Sequence, residues 1–493
     1  MSYILKRYFT SRKFYSLEEL CDIGCIDKSK LSDTIKSLFD RKITQIAQCG
    51  SRMTSNCLAV QFDEDSDEII RWGCANGAIA AITRNQIDEL PCIVVESPEE
   101  VYTKLCGYLR DKSEVEVTGV AGSIGKTSTK KMIHSVYSTY FNTFNDPENE
   151  NQLPCVGYAI QHIPAKTEKQ VQELSEDIPG CLDKMMRVIK PKIVAITAID
   201  KSHIEAFGSE EAVYDEVASV LKAMPSDGVA IVNLDDVTIM KYVANCKHKT
   251  ISMANPNADY YANDIRILTC GLCFNIVEKS SQQTFKVTLN SIYARHNVYS
   301  ALYAFVAGVL SGVPYDKIIK GLACFKTSGI RQNVYKDIWQ NNIIYADCYN
   351  AVAKSVKSAI ETATEIPIKG KRIAVLGDVE EAGEFSEQTH IDIIQSVNNS
   401  TFDVLIAYGD KLSQALSVLP LRSSLFVYRC GDKKDIVALL RQLTQKGDLI
   451  LFKASRKSAL ETIIKQVWGV TYRLKMLSYY WAVIKWRLRV IFN

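Results

Sequence analysis

Residues 117–132 read VTGVAGSIGKTSTKKM. Within them Gly122, Ser123, Gly125, Lys126, Thr127 and Ser128 form the pattern G-x-x-G-K-T-S, a loop suited to a polyphosphate. Glycines let the backbone turn tightly, so that N–H groups and the start of the next helix face anionic oxygens. Lys126 then reaches the terminal phosphates, and the Thr127 hydroxyl ligates Mg2+. The commoner loop, G-x-x-x-x-G-K-[ST], has an outer glycine where this chain has Val120. The shorter pattern remains, and ATP with Mg2+ is the expected ligand set.

Such a loop needs a strand before it and a helix after it. VEVTGV (115–120) is an apolar strand that runs into the glycines. After them, Met132, Ile133, Val136 and Tyr137 recur at helical spacing on one face. PKIVAITAI (191–199) and VAIVNLDD (229–236) read as further buried strands, alternating with helices such as 209–224. That alternation predicts a mostly parallel, doubly wound α/β sheet. Residues 259–292 read instead as antiparallel strands around a polar turn, with the helix NVYSALYAFVAGVL behind them. Upstream, CLAVQF (57–62) and AIAAIT (78–83) suit buried strands, and from 342 onward strand and helix alternate again.

With 493 residues the chain exceeds one core, and two to four domains are expected. A net charge of +3 gives no reason to expect nucleic acid. Fifteen cysteines without repeating spacing, and no secretory leader in Met1–Arg12, point to a reducing cytoplasm. Cys270 and Cys273 are half of a zinc pattern with no second half, so they read as small apolar residues in a strand. The last 27 residues, 467–493, carry five Lys or Arg and no acid. Their longest uncharged run is too short to span a bilayer. Two expectations stand for this tail: peripheral contact with the inner face of a membrane, or packing on the last domain.

Further stretches, in chain order, make the sequence resemble the Mur ligases, which join an amino acid or peptide to a carboxylate through an acyl phosphate. GSIGKTSTK (122–130) is similar to their ATP loop, and ENENQLP (148–154), with Asn151, to an asparagine-rich substrate segment. VQELSEDIPG (171–180) resembles a strand ending in a metal-binding glutamate, here Glu173. ITAIDKSHIEAFGS (196–209) resembles a segment with a metal-binding histidine, here His203. ARHNVYSALYA (294–304) resembles the adenine-contacting segment, with Asn297. GIRQ (329–332), DCYNA (347–351), LGDVEEAG (376–383) and KASR (453–456) resemble the C-terminal domain. The last three of these resemble the branch that adds D-alanyl-D-alanine to a UDP-N-acetylmuramoyl tripeptide in peptidoglycan precursor synthesis.

The resemblance implies three α/β domains: 1–112 for a UDP-linked substrate, 113–325 for ATP and 326–466 as a Rossmann-like ligase domain, followed by the tail. It implies Lys126, Glu173 and His203 as catalytic residues, and Thr127, Glu173 and His203 as Mg2+ ligands. Asp347 would take the ribose and Arg331 the phosphates. Ser51, Arg52, Asn151, Tyr349, Asn350, Ser455 and Arg456 would meet substrate. A cytoplasmic monomer acting on a cell-envelope precursor and an amino acid or dipeptide is expected.

The sequence also departs from the family pattern. Val217 stands where most members carry a carbamylated lysine, with Asp215 and Glu216 beside it as candidate substitutes. Val352, Ala353 and Lys354 replace Asn-Pro-Asp, Ala454 and Ser175 replace glycines, and Gly50 precedes Ser51-Arg52 where an aspartate is usual. Two alternatives therefore stay open: a related ligase with another acceptor, and a nucleotide-binding partner without catalysis.

Overall fold

The computed structural model describes residues 15–48, 53–62, 67–145, 151–199, 204–244, 246–327, 332–337, 339–348, 351–380 and 386–469. After a small antiparallel ribbon pairing Tyr15–Ser16 with Lys42–Ile43 come four short parallel strands: β1 (Gln45–Ala47), β2 (Cys57–Val60), β3 (Ala80–Thr83) and β4 (Cys92–Val94), in that spatial order. Helix α1 (Pro98–Asp111) leads out of them, with Ser97 capping Glu100 N–H and Pro98 in the first turn.

The central sheet has nine strands. In chain order they are β5 (Glu116–Ala121), β6 (Thr143–Asn145), β7 (Lys169–Glu173), β8 (Ile193–Ile196), β9 (Val229–Asn233), β10 (His248–Ser252), β11 (Tyr260–Leu268), β12 (Gly271–Glu278) and β13 (Thr284–Asn290). Across the sheet they run β13-β12-β11-β10-β9-β8-β5-β7-β6. From β6 to β11 every pairing is parallel; β12 pairs antiparallel with both β11 and β13. The expected antiparallel strands thus exist, and β10–β11 pairing makes them part of the same sheet.

Helices cover both faces: α2 (Lys126–Tyr137), α3 (Leu153–Gln161), α4 (Cys181–Ile189), α5 (Glu210–Lys222), α6 (Asn297–Leu310) and α7 (Tyr315–Cys324). Residues alternate between two apolar layers, as a strand's period of two requires. Val120, Ala195 and Ile231 belong to one cluster, and Val117, Ala121, Val194, Ile196, Ala230 and Val232 to the other. The second cluster is continuous with Leu58, Val60, Ile82 and Ile93 of the N-terminal sheet. A polar clasp reinforces that contact: Gln161 accepts from Ile46 N–H and donates to Ile46 C=O, both at 2.9 Å.

The C-terminal sheet is ordered β14-β15-β19-β16-β17-β18. Its strands are β14 (Asn333–Lys336), β15 (Ile343–Asp347), β16 (Arg372–Gly377), β17 (Val404–Tyr408), β18 (Phe426–Cys430) and β19 (Leu449–Lys453). Only the edge strand β14 is antiparallel. Cys270 lies in a turn and Cys273 in β12, bonded to Thr288. Of the tail, Trp468 packs edge-on to Phe452 at 6.2 Å; residues 470–493 lie outside the described residues. No helix among the described residues is long and apolar enough to cross a membrane.

Candidate active site

Val120 explains the unusual loop. It is a fully buried residue of β5, paired with Glu173 of β7 and Ala195 of β8, so the turn begins only after Ala121. Gly122 has φ +114°, and a Cβ there would meet Thr197 Oγ1 at 2.5 Å and Thr197 O at 2.7 Å. Gly125 has φ +87° with open space around its Cβ position, and it caps α2 without a side-chain bond. A helix's first N–H groups have no partner within the helix, and its dipole favours an anion there. The amides of Ser123 and Ile124 are spent on Ala198 O, at 3.0 and 2.9 Å. Ser123 therefore has its hydroxyl to offer, a buried oxygen without a partner.

Four charged side chains are packed behind the loop. Lys126 Nζ donates to Glu176 Oε2 at 2.6 Å, and Lys130 Nζ lies 3.4 Å from Glu173 Oε2. Relative exposure is 9% for Lys126, 2% for Glu173, and 0% for both Lys130 and Glu176. Glu173 Oε1 accepts from Thr127 Oγ1 at 3.2 Å and from Asn151 Nδ2 at 3.1 Å. Asn151, expected at the substrate, thus orients the carboxylate.

These groups suit a hard divalent cation. Thr127 Oγ1 and Glu173 Oε1 share one site, Glu173 Oε2 lacks a hydrogen-bond donor, and oxygen donors are what Mg2+ prefers. Among the described residues no group of three or more His, Cys, Asp or Glu could hold a metal by itself. Phosphate oxygens and water would complete the shell, as is usual for Mg2+.

Neither Asp215 nor Glu216 is directed to this cluster. Asp215 accepts from Tyr242 OH at 2.8 Å. Glu216 caps α4, taking Gly180 N–H at 2.8 Å and Leu182 N–H at 2.9 Å. Gly180 offers that helix no side-chain cap, so Glu216 supplies one from α5. Val217 is fully buried in the apolar cluster. Substitution by these two acids is thereby corrected: both already have structural work.

The expected adenine and ribose residues meet at one junction. Asn297, 1% exposed, donates through Nδ2 to Ala294 O at 3.1 Å and to Gln332 Oε1 at 3.2 Å. Its Oδ1 is buried without a partner. Gln332 Nε2 donates to His296 Nε2 at 2.9 Å, so that ring nitrogen must accept. Desolvation lowers the His296 pKa, and the nearby Asp347 carboxylate works against that; the outer part of His296 stays exposed. Gln332 N–H reaches Asp347 Oδ1 at 3.2 Å, while Asp347 Oδ2 holds the buried Lys453 Nζ at 2.9 Å. Gln332 has φ +49°, a left-handed conformation that costs energy and persists only where its surroundings hold it.

Ser455 and Arg456 follow β19. Ser455 Oγ accepts from Glu380 N–H at 3.1 Å, and the exposed Arg456 pairs with Glu461 at 2.5 Å. Ser128 lies in the first turn of α2. Ser51, Arg52, His203, Arg331, Tyr349 and Asn350 lie outside the described residues. The sequence reading missed Lys130, Glu176 and Gln332. Lys130 had a signal, a lysine on the apolar face of α2 beside Ile133 and Tyr137. Glu176 had none, because SEDIPG reads as a solvated loop.

Comparison with known proteins follows from this geometry. A model of the Mur ligase middle domain matches residues 120–308, and one of the Mur ligase glutamate ligase domain matches residues 331–456. The UDP-N-acetylmuramoyl-tripeptide--D-alanyl-D-alanine ligase of Bacillus subtilis (strain 168) is 32% identical over 362 residues, 73% of this chain and 77% of the relative. Its counterpart in Escherichia coli (strain K12) is 25% identical over 423 residues, 84% and 91% of the two chains. Among solved structures, MurF from Acinetobacter baumannii overlays with a TM-score of 0.77 at 22% identity, covering 93% of this chain and 99% of its own. MurF ligase from Thermotoga maritima in complex with ADP gives 0.73 at 21% identity, covering 87% and 98%. At such identities these structures speak for the fold.

Proposed function

The chain belongs to the Mur ligase family, and from that premise we propose that it is an ATP-dependent ligase adding D-alanyl-D-alanine to a UDP-N-acetylmuramoyl tripeptide. The observation that carries this is the set formed by Lys126 and Thr127 at the start of α2 and the buried Glu173 at the end of β7, whose carboxylate accepts from Thr127. Amide formation from a carboxylate needs an activated acyl group. The tripeptide's carboxylate oxygen attacks the γ-phosphorus of ATP and ADP leaves; the dipeptide's amine then attacks the acyl carbon, loses a proton and expels phosphate. Lys126 neutralises charge on the transferred phosphoryl group. Thr127 and Glu173, with His203, would hold Mg2+, which offsets repulsion between carboxylate and phosphate.

On this reading Gly122, Ser123, Gly125 and Ser128 frame the phosphates, Asn297 takes the adenine, Asp347 the ribose and Arg331 the phosphates from the C-terminal side. Ser51 and Arg52 meet the UDP-linked substrate, and Asn151, Tyr349, Asn350, Ser455 and Arg456 the peptides. The chain acts as a cytoplasmic monomer, its basic tail touching the inner membrane face. A second reading, a nucleotide-binding partner without catalysis, draws support from the buried Val217 at the lysine's place. Incubation with ATP, Mg2+, UDP-muramyl tripeptide and D-alanyl-D-alanine separates the two. ADP and the pentapeptide, seen by mass spectrometry, support the ligase; nucleotide binding without either product overturns it and leaves the second reading and a related ligase with another acceptor, which a screen of acceptors divides.

A further inference from the structure

Glu176 lies three residues beyond Glu173, on the segment that follows β7. It is completely buried, its Oε2 holds Lys126, and its Oε1 has no hydrogen-bond partner. The four buried groups Lys126, Lys130, Glu173 and Glu176 balance to zero charge. Polyphosphate entry upsets that balance. An ammonium has three donors, so Lys126 can turn to phosphate while keeping one bond to Glu176 or releasing it. In either case a desolvated carboxylate is left within one lysine's reach of several phosphate charges, and like charges in such surroundings repel strongly. A cation relieves this, and an unpartnered carboxylate oxygen is a ligand for a hard one.

We propose that Glu176 is an exchangeable ligand at this site, holding Lys126 before nucleotide arrives and a divalent cation afterwards. It serves two ends. Without a cation it occupies the phosphate-binding lysine and so weakens capture of the bare nucleotide. With the cation present it gives the metal a second protein carboxylate beyond Glu173. Nucleotide and cation are thereby bound together rather than independently, a coupling that is reciprocal. The proposal rests on the assignment of Lys126 to phosphate.

Equilibrium titration of the full chain tests it. The dissociation constant of a non-hydrolysable ATP analogue is measured with Mg2+ and with chelator, for the parent and for Glu176→Gln, after thermal melting shows that the variant is folded. In the parent, Mg2+ strengthens binding. In Glu176→Gln, binding of the metal-free analogue tightens about tenfold, the order expected for one like charge removed beside the phosphates, and the Mg2+ effect shrinks by at least as much. An unchanged Mg2+ effect overturns the proposal. A measurement on the parent alone covers a variant that does not fold: the parent's dissociation constant for the analogue should fall about tenfold or more from chelator to saturating Mg2+, and equal constants in the two conditions overturn the proposal. A parent that binds no analogue under either condition refutes the nucleotide site itself, a different outcome from a parent and variant that respond alike.

Discussion

Gly122 and Gly125 both have positive φ but for different needs, and substitution separates them. Alanine at Gly122 places its methyl 2.5 Å from the Thr197 side chain and 2.7 Å from its carbonyl, so loop or strand end must shift. Alanine at Gly125 meets nothing within 4 Å. Its cost to folding is the left-handed backbone alone, about 1–2 kcal/mol. Its methyl, however, stands where phosphate would approach the first turn of α2. Gly122→Ala should therefore lower the urea midpoint more, while Gly125→Ala should lose ATP affinity out of proportion to its stability. Equal loss of both properties in both variants would refute a phosphate-binding role for this turn. At this scale the sequence was informative where the residue type is forced. The glycines, Lys126 and Thr127 could be placed because few alternatives perform their task. Glu173 and Asn151 could be named only through resemblance. Glu176 and Gln332 were invisible, since their partners are 50 positions away for Glu176 and 36 away, at His296, for Gln332.

Elements were legible when burial left an apolar run. β5, β8 and β9 are covered on both faces and read as continuous apolar stretches, as parallel strands do. β7 is equally buried but its sequence is KQVQE. Its glutamines are bonded in series, Gln170 donating to Gln172 and Gln172 to the Glu173 carbonyl, both at 3.1 Å, with Gln170 Oε1 left without a partner, so polar residues enter a core strand without an apolar signature. The N-terminus of α6 shows what an element can do for specificity. Both Nδ2 hydrogens of Asn297 are committed, to Ala294 and Gln332, which leaves Oδ1 as an acceptor. An acceptor suits the amino group of adenine and opposes the oxo group of guanine. Gln332→Ala frees the amide to rotate. The expected result is a preference for ATP over GTP reduced about tenfold, the value of roughly one net hydrogen bond, with ATP binding itself retained. An unchanged ratio of the two dissociation constants would show that Gln332 does not set the amide's orientation.

The central sheet connects the whole molecule, because each of its faces contributes to a different apolar cluster. One cluster continues into the N-terminal sheet, through Leu58, Val60, Ile82 and Ile93. The other includes Val334, Tyr345 and Leu451 of the C-terminal sheet. Arg295, just before α6, also pairs with Glu365 across that second boundary at 2.6 Å. Sequence indicated three α/β units but not that they share cores, since apolar periodicity reports that a face is covered and not what covers it. Shared cores make separate melting costly: detaching the small four-stranded sheet would uncover the apolar sides of α1 and α3, which pack against it. Ligand linkage turns this into a measurement. A nucleotide that binds only the folded state stabilises it by about 2.7 kcal/mol at a hundred times its dissociation constant. Calorimetry with and without saturating Mg2+ and ADP should then show the N-terminal and central units melting in one transition that moves upward as a whole by a few degrees, the scale on which such energies move large domains. A transition that precedes the main one and ignores the ligand would mean that the N-terminal sheet unfolds by itself, and that the apolar cluster it shares with the central sheet does not couple them.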